Sequence, residues 1–359
     1  MAKNYGRRLR LSQEEEELIY QNRAAPLENI NGNTALDLHI KERGISKDDI
    51  VSVKHWQSAS GEYRFSIVTK DNIDRKKIFD GVQNLIKDYS PKYPKIVHKR
   101  GECLLVINPA DIHIGKYAAE KETGDAYDNK IAVKRVLEGV SGLIEKAKGF
   151  NIDRVLFCIG NDILHIDNVY GSTTKGTYQD TDGKWWEHYE IALELYVKCI
   201  EILREIAPVD AVHSMSNHDY QSGFHLAQSL KAWFRNCPEI KIDAGVSHRK
   251  YYKYGNSLIG LEHGDGAKMQ NLPLLMAQEQ PKMWSETKYR YWYLHHIHHK
   301  VKHKWLDGKD YIGASVEYLR SPSSNDSWHS RKGYCSLKAV EGFIHEKEKG
   351  QVARLVHYF

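Results

Sequence analysis

The pattern of apolar and polar positions divides the chain into a short first part and a longer second part. In the first part, helical periodicity predicts helices at 12–24 and 34–44, and the alternating stretch 61–70 predicts a strand. From residue 101 onward, apolar runs of strand length alternate with amphipathic segments of helix length. We therefore expect β-α-β units with a parallel core sheet and helices on its faces.

A change in composition indicates a linker between the two parts. The stretch 75–100 contains eight Lys or Arg residues against two Asp, and two prolines fall near its end. We expect a small α/β domain over 1–97, of unknown role, and a larger domain over 98–359. A helix-turn-helix can also be drawn through 34–56, which would make the small domain a nucleic-acid-binding module.

Charge and cysteine usage narrow the class of protein. The formal net charge of +5 mildly favours a polyanionic partner. The five cysteines are scattered, form no CxxC pair and mostly lie in apolar runs, as is typical of reduced, buried thiols. The first residues have no apolar core, and no apolar run approaches the roughly 20 residues of a membrane span. We expect a cytoplasmic protein, in the host cytoplasm if a phage encodes it.

Polar residues with metal-binding side chains follow the predicted strands. Ligands gather at strand ends in α/β folds, and residues i and i+2 of a strand point to the same side. Carboxylate, imidazole and amide ligands together suit Mn²⁺, Fe²⁺ or Zn²⁺. Seven such donors exceed the four or so that one tetrahedral ion needs, and they fit two ions that share a carboxylate. The strand-end blocks that supply these donors are Asp111-x-His113, Gly160-Asn161-Asp162, Asn217-His218-Asp219, His263-Gly264-Asp265 and His296-x-His298.

The order of these blocks resembles a known family. The stretches DIHIG, GND, SNHD, EHGD and HHIH are similar to the signature of the calcineurin-like metallophosphoesterases, and the similarity extends over 101–315. Three positions depart from the pattern: Asn161 interrupts the Gly-Asp block, and Ser216 and His295 stand where glycine is usual. The resemblance implies an αββα sandwich of two packed mixed sheets flanked by helices.

The resemblance also implies a role for each donor. Asp162 would bridge two divalent ions, most often Mn²⁺, with Fe²⁺ or Zn²⁺ as alternatives. The other ligands of the first ion would be Asp111, His113 and His298, and those of the second would be Asn217, His263 and His296. His218 would not bind metal; it would stabilise the phosphate charge or protonate the leaving oxygen, oriented by Asp219.

The substrate is less constrained than the chemistry. The stretch 247–255 interleaves three cations with three tyrosines, and 288–305 has five Lys or Arg and no acid, which favours nucleic acid as substrate. A sheet face with alternating aromatic and charged residues would give the same pattern. The candidate substrate contacts are Asn161, His165, Arg249, Lys250, Lys253, Trp328 and His329.

Three functions follow from this sequence. The first is a hydrolase that cleaves DNA as a phosphodiesterase; here the chain resembles the SbcD-type DNA-repair exonucleases and, more faintly, phosphoesterases of phages and prophages. The second is a small-molecule phosphodiesterase or phosphatase. The third is a non-catalytic nucleic-acid-binding protein with a structural metal site, and His218 argues against it because a structural site needs no general acid. A homodimer remains open in each case.

Overall fold

The computed structural model describes residues 33–57, 63–69, 91–297, 308–333 and 337–359. The chain forms two compact units, Met1–Tyr89 and Ser90–Phe359. Residues 91–100 belong to the second unit and contain neither helix nor strand. The Tyr93 hydroxyl in this segment donates to Glu201 Oε1 over 2.8 Å, so the segment contacts the body of the second unit.

The described residues of the first unit form one α-helix and one hairpin. Helix α1 (Asn33–Glu42) leads through a short 3₁₀ helix, Lys47–Asp49, into antiparallel strands β1 (Ile50–Gln57) and β2 (Tyr63–Thr69). The helix packs through Leu36 and Ile40 against the first strand. Because residues 50–57 form a strand, the helix-turn-helix alternative over 34–56 is wrong. The predicted helix at 12–24 lies outside the described residues.

The second unit alternates strands and helices, as the periodicity predicts. Asp128 caps the first long helix by accepting a hydrogen bond from the Ile131 backbone N–H over 2.7 Å. In chain order the elements are β3 (Cys103–Asn108), α2 (Glu120–Thr123), α3 (Asn129–Ala147), β4 (Ile152–Gly160), α4 (Trp185–Arg204), β5 (Val209–Ser214), α5 (Tyr220–Trp233), β6 (Ile240–Asp243), β7 (Lys250–Tyr254), β8 (Ser257–Leu261), α6 (Leu272–Glu279), α7 (Pro281–Ser285), β9 (Tyr289–Leu294), β10 (Gly308–Tyr311), β11 (Ala314–Tyr318), α8 (Ser327–Arg331), β12 (Ala339–Glu346) and β13 (Gly350–Tyr358).

Strands β3 to β13 form two mixed sheets. The first has the order β13-β12-β3-β4-β5-β6, in which β3 to β6 are parallel and β12 is antiparallel to β3. The second has the order β10-β11-β9-β8-β7, in which β8, β9 and β11 are parallel and the two outer strands are antiparallel to their neighbours. Strands β12 and β13 form an antiparallel hairpin at the edge of the first sheet.

Apolar contacts hold the two sheets face to face. Between them, buried side chains of the first sheet such as Leu104 and Phe343 meet Ile259 and Tyr293 of the second. The Phe343 and Tyr293 rings stack with their centroids 4.2 Å apart. Helices α3, α4 and α5 pack against the outer face of the first sheet, and α6 packs against the second. The expected mixed α/β class, with two mixed sheets flanked by helices, is therefore confirmed.

None of the helices in the described part of the chain combines the length and apolar composition that crossing a bilayer requires.

Candidate metal centre

The predicted donors converge because they follow parallel strands. Asp111 and His113 follow β3, Asp162 follows β4, Asn217 follows β5, and His263 and His296 follow β8 and β9. Backbone hydrogen bonds join these loops: the Asp111 N–H donates to Asn161 O over 2.8 Å, and the His113 N–H donates to Asp162 O over 2.9 Å. The loops of both sheets therefore contribute to one cluster. The remaining predicted ligand, His298, lies outside the described residues.

The backbone of the cluster is strained in a consistent way. Among the described residues, five non-glycine positions have positive φ, and all five belong to this cluster. Such conformations cost of order 1–3 kcal/mol each and persist where the surrounding structure imposes them. The orientation of these side chains therefore lowers the free energy of unfolding relative to an unstrained backbone. The five residues are Asp111, His113, Asn161, Asp162 and His296.

Asp162 is the shared member of two potential metal-binding groups. In the first, ligand atoms of Asp111, His113 and Asp162 lie within 4.8 Å of one another, and in the second, the same holds for Asp162, His263 and His296. Asp162 Oδ2 lies 3.2 Å from His263 Nε2, and Asn217 Oδ1 lies 2.8 Å from the same nitrogen. The structure thus contains His and Asp groups that could hold a metal ion, with one carboxylate common to both.

Burial and charge act in opposite directions on the central pair. Burial alone would raise the pKa of Asp162, but the imidazoles of His263 and His218 hold it well below its usual value. Burial disfavours protonation of His263, yet the Asp162 carboxylate raises the pKa of His263 to about 9. The pKa of His296 is lowered, first by burial and then by the charge of His263. The centre therefore concentrates negative charge on Asp162.

Unsatisfied polar atoms test whether an ion fits here. Buried polar groups almost always have a hydrogen-bond partner or another ligand. The Asn161 side-chain amide and the His263 Nδ1 atom are buried and have no hydrogen-bond partner in the part of the chain that the structure describes. Together with carboxylate and imidazole donors that suit borderline divalent cations, these atoms fit a site that binds a cation and water.

His218 lies beside the Asp162 carboxylate but belongs to neither of the two potential metal-binding groups that share this carboxylate. Its backbone N–H donates to Asp162 Oδ1 over 2.9 Å, and its ring Nδ1 lies 2.9 Å from the carbonyl oxygen of His165. A carbonyl only accepts, so Nδ1 carries a proton and Nε2 is the atom left for chemistry. The sequence predicted Asp219 as the group that orients His218; in the structure the His165 carbonyl has that role.

Ser216 supports the centre and Lys116 lies near it, and neither role was predicted from the sequence. Ser216 Oγ accepts from the Asp162 N–H over 2.8 Å and donates to Asp219 Oδ1 over 2.5 Å, so the residue expected to be glycine links two loops. Lys116 is buried, and its Nζ donates to Ser324 O over 2.7 Å. Burial lowers the pKa of Lys116, while the nearby Asp326 opposes that change.

His165 joins the centre from the loop after β4. Ligand atoms of His113, His165 and His218 lie within 4.8 Å of one another, and the His165 and His218 rings stack with centroids 5.3 Å apart. The pKa of His165 is lowered well below its usual value, first by burial and then by the charge of His218. Of the candidate substrate contacts, His165 and the 1%-exposed Asn161 are thus the two that the structure brings to the centre.

The other candidate contacts lie elsewhere or are only partly described. Arg249 Nη2 lies 2.6 Å from Glu279 Oε1, Lys250 Nζ lies 3.0 Å from Asp243 Oδ1, and Lys253 Nζ lies 2.5 Å from Glu286 Oε2. All three cations on or beside β7 therefore have carboxylate partners. Trp328 and His329 lie in α8, where the structure describes their backbone only.

An open cleft adjoins the centre on the side of His165 and His218. It has a volume of about 490 Å³. Its wall consists of residues from the loop after β3, the long loop after β4 and the region of α8. Among the residues of this wall are Tyr117, Tyr178, Asp180, Asp326 and Arg331.

No protein-family model matches the sequence, and no curated protein matches it. The fold and the site define a mixed α/β protein whose His and Asp side chains form groups that could bind a metal ion.

Proposed function

We propose that the chain is a metal-dependent phosphoesterase of the calcineurin-like type, and that it hydrolyses phosphodiesters of nucleic acid. The observation that carries this proposal is the single carboxylate of Asp162, common to two ligand groups, with the ring of His218 beside it. Two cations that share a carboxylate are the usual arrangement for in-line attack of water on a phosphoester. The two packed mixed sheets are consistent with the sandwich that the sequence resemblance implies.

The residues that would hold the ions follow from the two groups. Asp111, His113 and Asp162 would hold the first. Asp162, Asn217, His263 and His296 would hold the second, and His298 remains a predicted ligand. Bound divalent ions would polarise the phosphoryl oxygens and lower the pKa of a bound water.

The chain's own part in the reaction centres on His218. The His165 carbonyl fixes Nδ1 of His218 as a donor, which leaves Nε2–H of a protonated His218 available, and His218 lines the cleft. An imidazolium at that position would stabilise negative charge on the phosphate and give its proton to the leaving oxygen. The position of His218 is also fixed by its backbone. Asp162 Oδ1 accepts a hydrogen bond from the His218 backbone N–H, which keeps the proton donor close to the shared carboxylate.

A small-molecule phosphodiesterase or phosphatase is the second candidate. The observation that favours it is the pairing of Arg249, Lys250 and Lys253 with carboxylates. Cations that already have carboxylate partners contribute less to a phosphate backbone than free ones would, because the existing pair must be broken first.

Chelation, reconstitution and a substrate panel test the proposal. Metal-free protein should be inactive, and Mn²⁺ should restore hydrolysis. The panel comprises bis-p-nitrophenyl phosphate, p-nitrophenyl phosphate, single- and double-stranded DNA, RNA and a cyclic dinucleotide. Full activity after exhaustive chelation would contradict the role of metal. A preference for the monoester or the cyclic dinucleotide over every polynucleotide would select the second candidate.

A pair of carboxylate variants separates the centre from the scaffold. Asp162→Ala should lose bound metal by elemental analysis and lose hydrolysis with it. The matched control is Asp128→Asn, which alters a carboxylate at the start of α3 and leaves a residue that caps helices equally well. The control should keep both properties, and retention of two ions by Asp162→Ala would show that another carboxylate is the shared one.

A further inference from the structure

The cleft beside His218 has the size and position of a substrate pocket. Its volume of about 490 Å³ falls within the roughly 300–1,000 Å³ of typical small-ligand pockets. His165 and His218 form the end that meets the metal centre. A group that leaves the phosphorus on the His218 side would therefore enter this cleft.

Two exposed tyrosines line the cleft. Tyr117 is 50% exposed and Tyr178 is 72% exposed, although aromatic side chains are usually more buried. The Tyr117 N–H donates to Asp180 O over 3.2 Å, which joins the loop after β3 to the loop after β4. Both tyrosines line the cleft beside this junction, so both are available to a ligand there.

The loop that carries Tyr178 is held by hydrogen bonds at its base. Asp167 Oδ1 accepts from the Ser222 N–H over 2.7 Å at the start of α5, and Thr174 Oγ1 donates to Asp167 Oδ2 over 2.8 Å. Ser172 and Tyr178 form an isolated bridge across the loop. A wall held in this way is preorganised, so a ligand does not have to order it on binding.

The charges of the cleft favour a nucleoside over further phosphate groups. Arg331 is exposed and makes no ion pair within the described ranges of the chain. The same cleft also contains the carboxylates of Asp180 and Asp326, and Asp326 lies 3.5 Å from the buried Lys116 Nζ. A chain of phosphates would meet the exposed carboxylate of Asp180 here, whereas an uncharged base can offer an N–H group to it.

We propose that this cleft binds the base of the nucleoside on the leaving side of the scissile phosphate, stacked against Tyr117 and Tyr178. The inference rests on the proposed function, and it names the substrate as one whose base is unpaired next to the cleaved bond. Base stacking on aromatic side chains tolerates every base and contributes a factor of about 5 to 150 per base in affinity. The chain should therefore cleave single-stranded ends or loops faster than fully paired duplex.

Dinucleoside monophosphates test this subsite because each contains a single scissile phosphate. Three reporters are needed: one with both bases, one that lacks the 5′ base and one that lacks the 3′ base. For the parent protein in Mn²⁺, removal of one of the two bases should reduce kcat/KM by about 5- to 150-fold, and removal of the other should have little effect. The sensitive base then identifies the leaving nucleoside.

Variants assign the effect to the tyrosines. Tyr178→Ala and Tyr117→Ala should cut the complete reporter more slowly and should lose their sensitivity to removal of that base, as a double-mutant cycle requires. Tyr178→Phe should behave like the parent because it keeps the aromatic face. The matched control is Tyr170→Ala, which removes an 82%-exposed tyrosine of the same loop that does not line the cleft, and it should keep full sensitivity.

The results of these experiments distinguish a failure of the base-binding subsite from a failure of the proposed phosphodiesterase function. If the parent cleaves all three reporters equally, or if Tyr178→Ala keeps the full sensitivity to base removal, the subsite is wrong and the phosphodiesterase proposal stands. If the parent cleaves none of the reporters but hydrolyses a phosphomonoester, the proposed function itself fails.

Discussion

Ser216→Ala offers a quantitative test of how the centre is supported. Ser216 Oγ accepts from the Asp162 N–H over 2.8 Å and donates to the Asp219 carboxylate over 2.5 Å, and the residue is 5% exposed. Alanine removes both bonds and leaves two buried groups with one partner fewer.

The cost can be estimated from these two bonds. An unsatisfied buried N–H costs about 1–3 kcal/mol, and a hydrogen bond to a charged group contributes about 1.5–3 kcal/mol. The sum is an upper bound: burial and the charge of Asp162 already raise the pKa of Asp219 to about 7, so protonation can relieve part of the loss. Leu164 N–H also continues to donate to Asp219 Oδ2 over 2.9 Å. We expect a loss of about 2–4 kcal/mol in the free energy of unfolding.

Urea unfolding of metal-free protein is the measurement, and Ser214→Ala is the matched control. Ser214 is equally buried at the end of β5, but its Oγ has no hydrogen-bond partner among the residues that the structure describes. Its replacement should therefore be close to neutral. Loss of the Ser216 link should also weaken Mn²⁺ binding by about 10- to 100-fold, as for other groups that orient metal ligands. Equal stability of the two variants would refute the reasoning.

Three further predictions concern chemistry, backbone and pH. His218→Ala should keep its metal by elemental analysis yet lose at least about 100-fold in kcat, whereas metal loss would make His218 a ligand. Gly160→Ala places a Cβ 2.3 Å from Ser214 O at φ +84°, so thermal unfolding should show a larger loss than for Gly124→Ala, whose φ is +79° with nothing within 4 Å. Burial lowers the pKa of His345 to about 3. The unfolded chain then binds a proton that the folded chain does not, so the free energy of unfolding falls as the pH falls below about 6.5. Between pH 6.5 and pH 5, urea unfolding should show about 2 kcal/mol more loss for the parent than for His345→Gln. Equal losses for the two proteins would contradict this.

The strand-end donors were predictable because two local rules place them. Apolar runs locate the strands, and parallel strands bring their carboxyl ends to the same edge of a sheet. Asp111, Asp162 and Asn217 therefore had to approach one another if β3, β4 and β5 paired, and His263 had to approach His296 if β8 and β9 paired. The meeting of the two sets depends on how the two sheets pack, which the sequence pattern does not give. The register through the Gly160-Asn161-Asp162 block was harder. It depends on consecutive positive φ angles at those three residues, which no pattern of apolar and polar positions reveals.

The partners of individual side chains were not predictable in the same way. Arg249 and Glu279 are thirty residues apart and meet only because β7 and α6 pack on the same part of the fold. The stretch that alternated cations with tyrosines therefore fits the alternative of an alternating sheet face, which the sequence had left open. Likewise, a backbone carbonyl from the neighbouring loop orients His218, and backbone groups have no signature in the sequence.

The origin of the ligands in two separate sheets has a mechanical consequence. Asp111, Asp162 and Asn217 follow strands of the first sheet, whereas His263 and His296 follow strands of the second. An ion held by both sets would act as a crosslink between the sheets, so sliding one sheet over the other would break coordination before it disturbed either sheet internally. Metal affinity should then report on the packing of Phe343 against Tyr293, because that pair joins the same two sheets. Such an ion would add to the resistance that the apolar contacts between the sheets offer against shear.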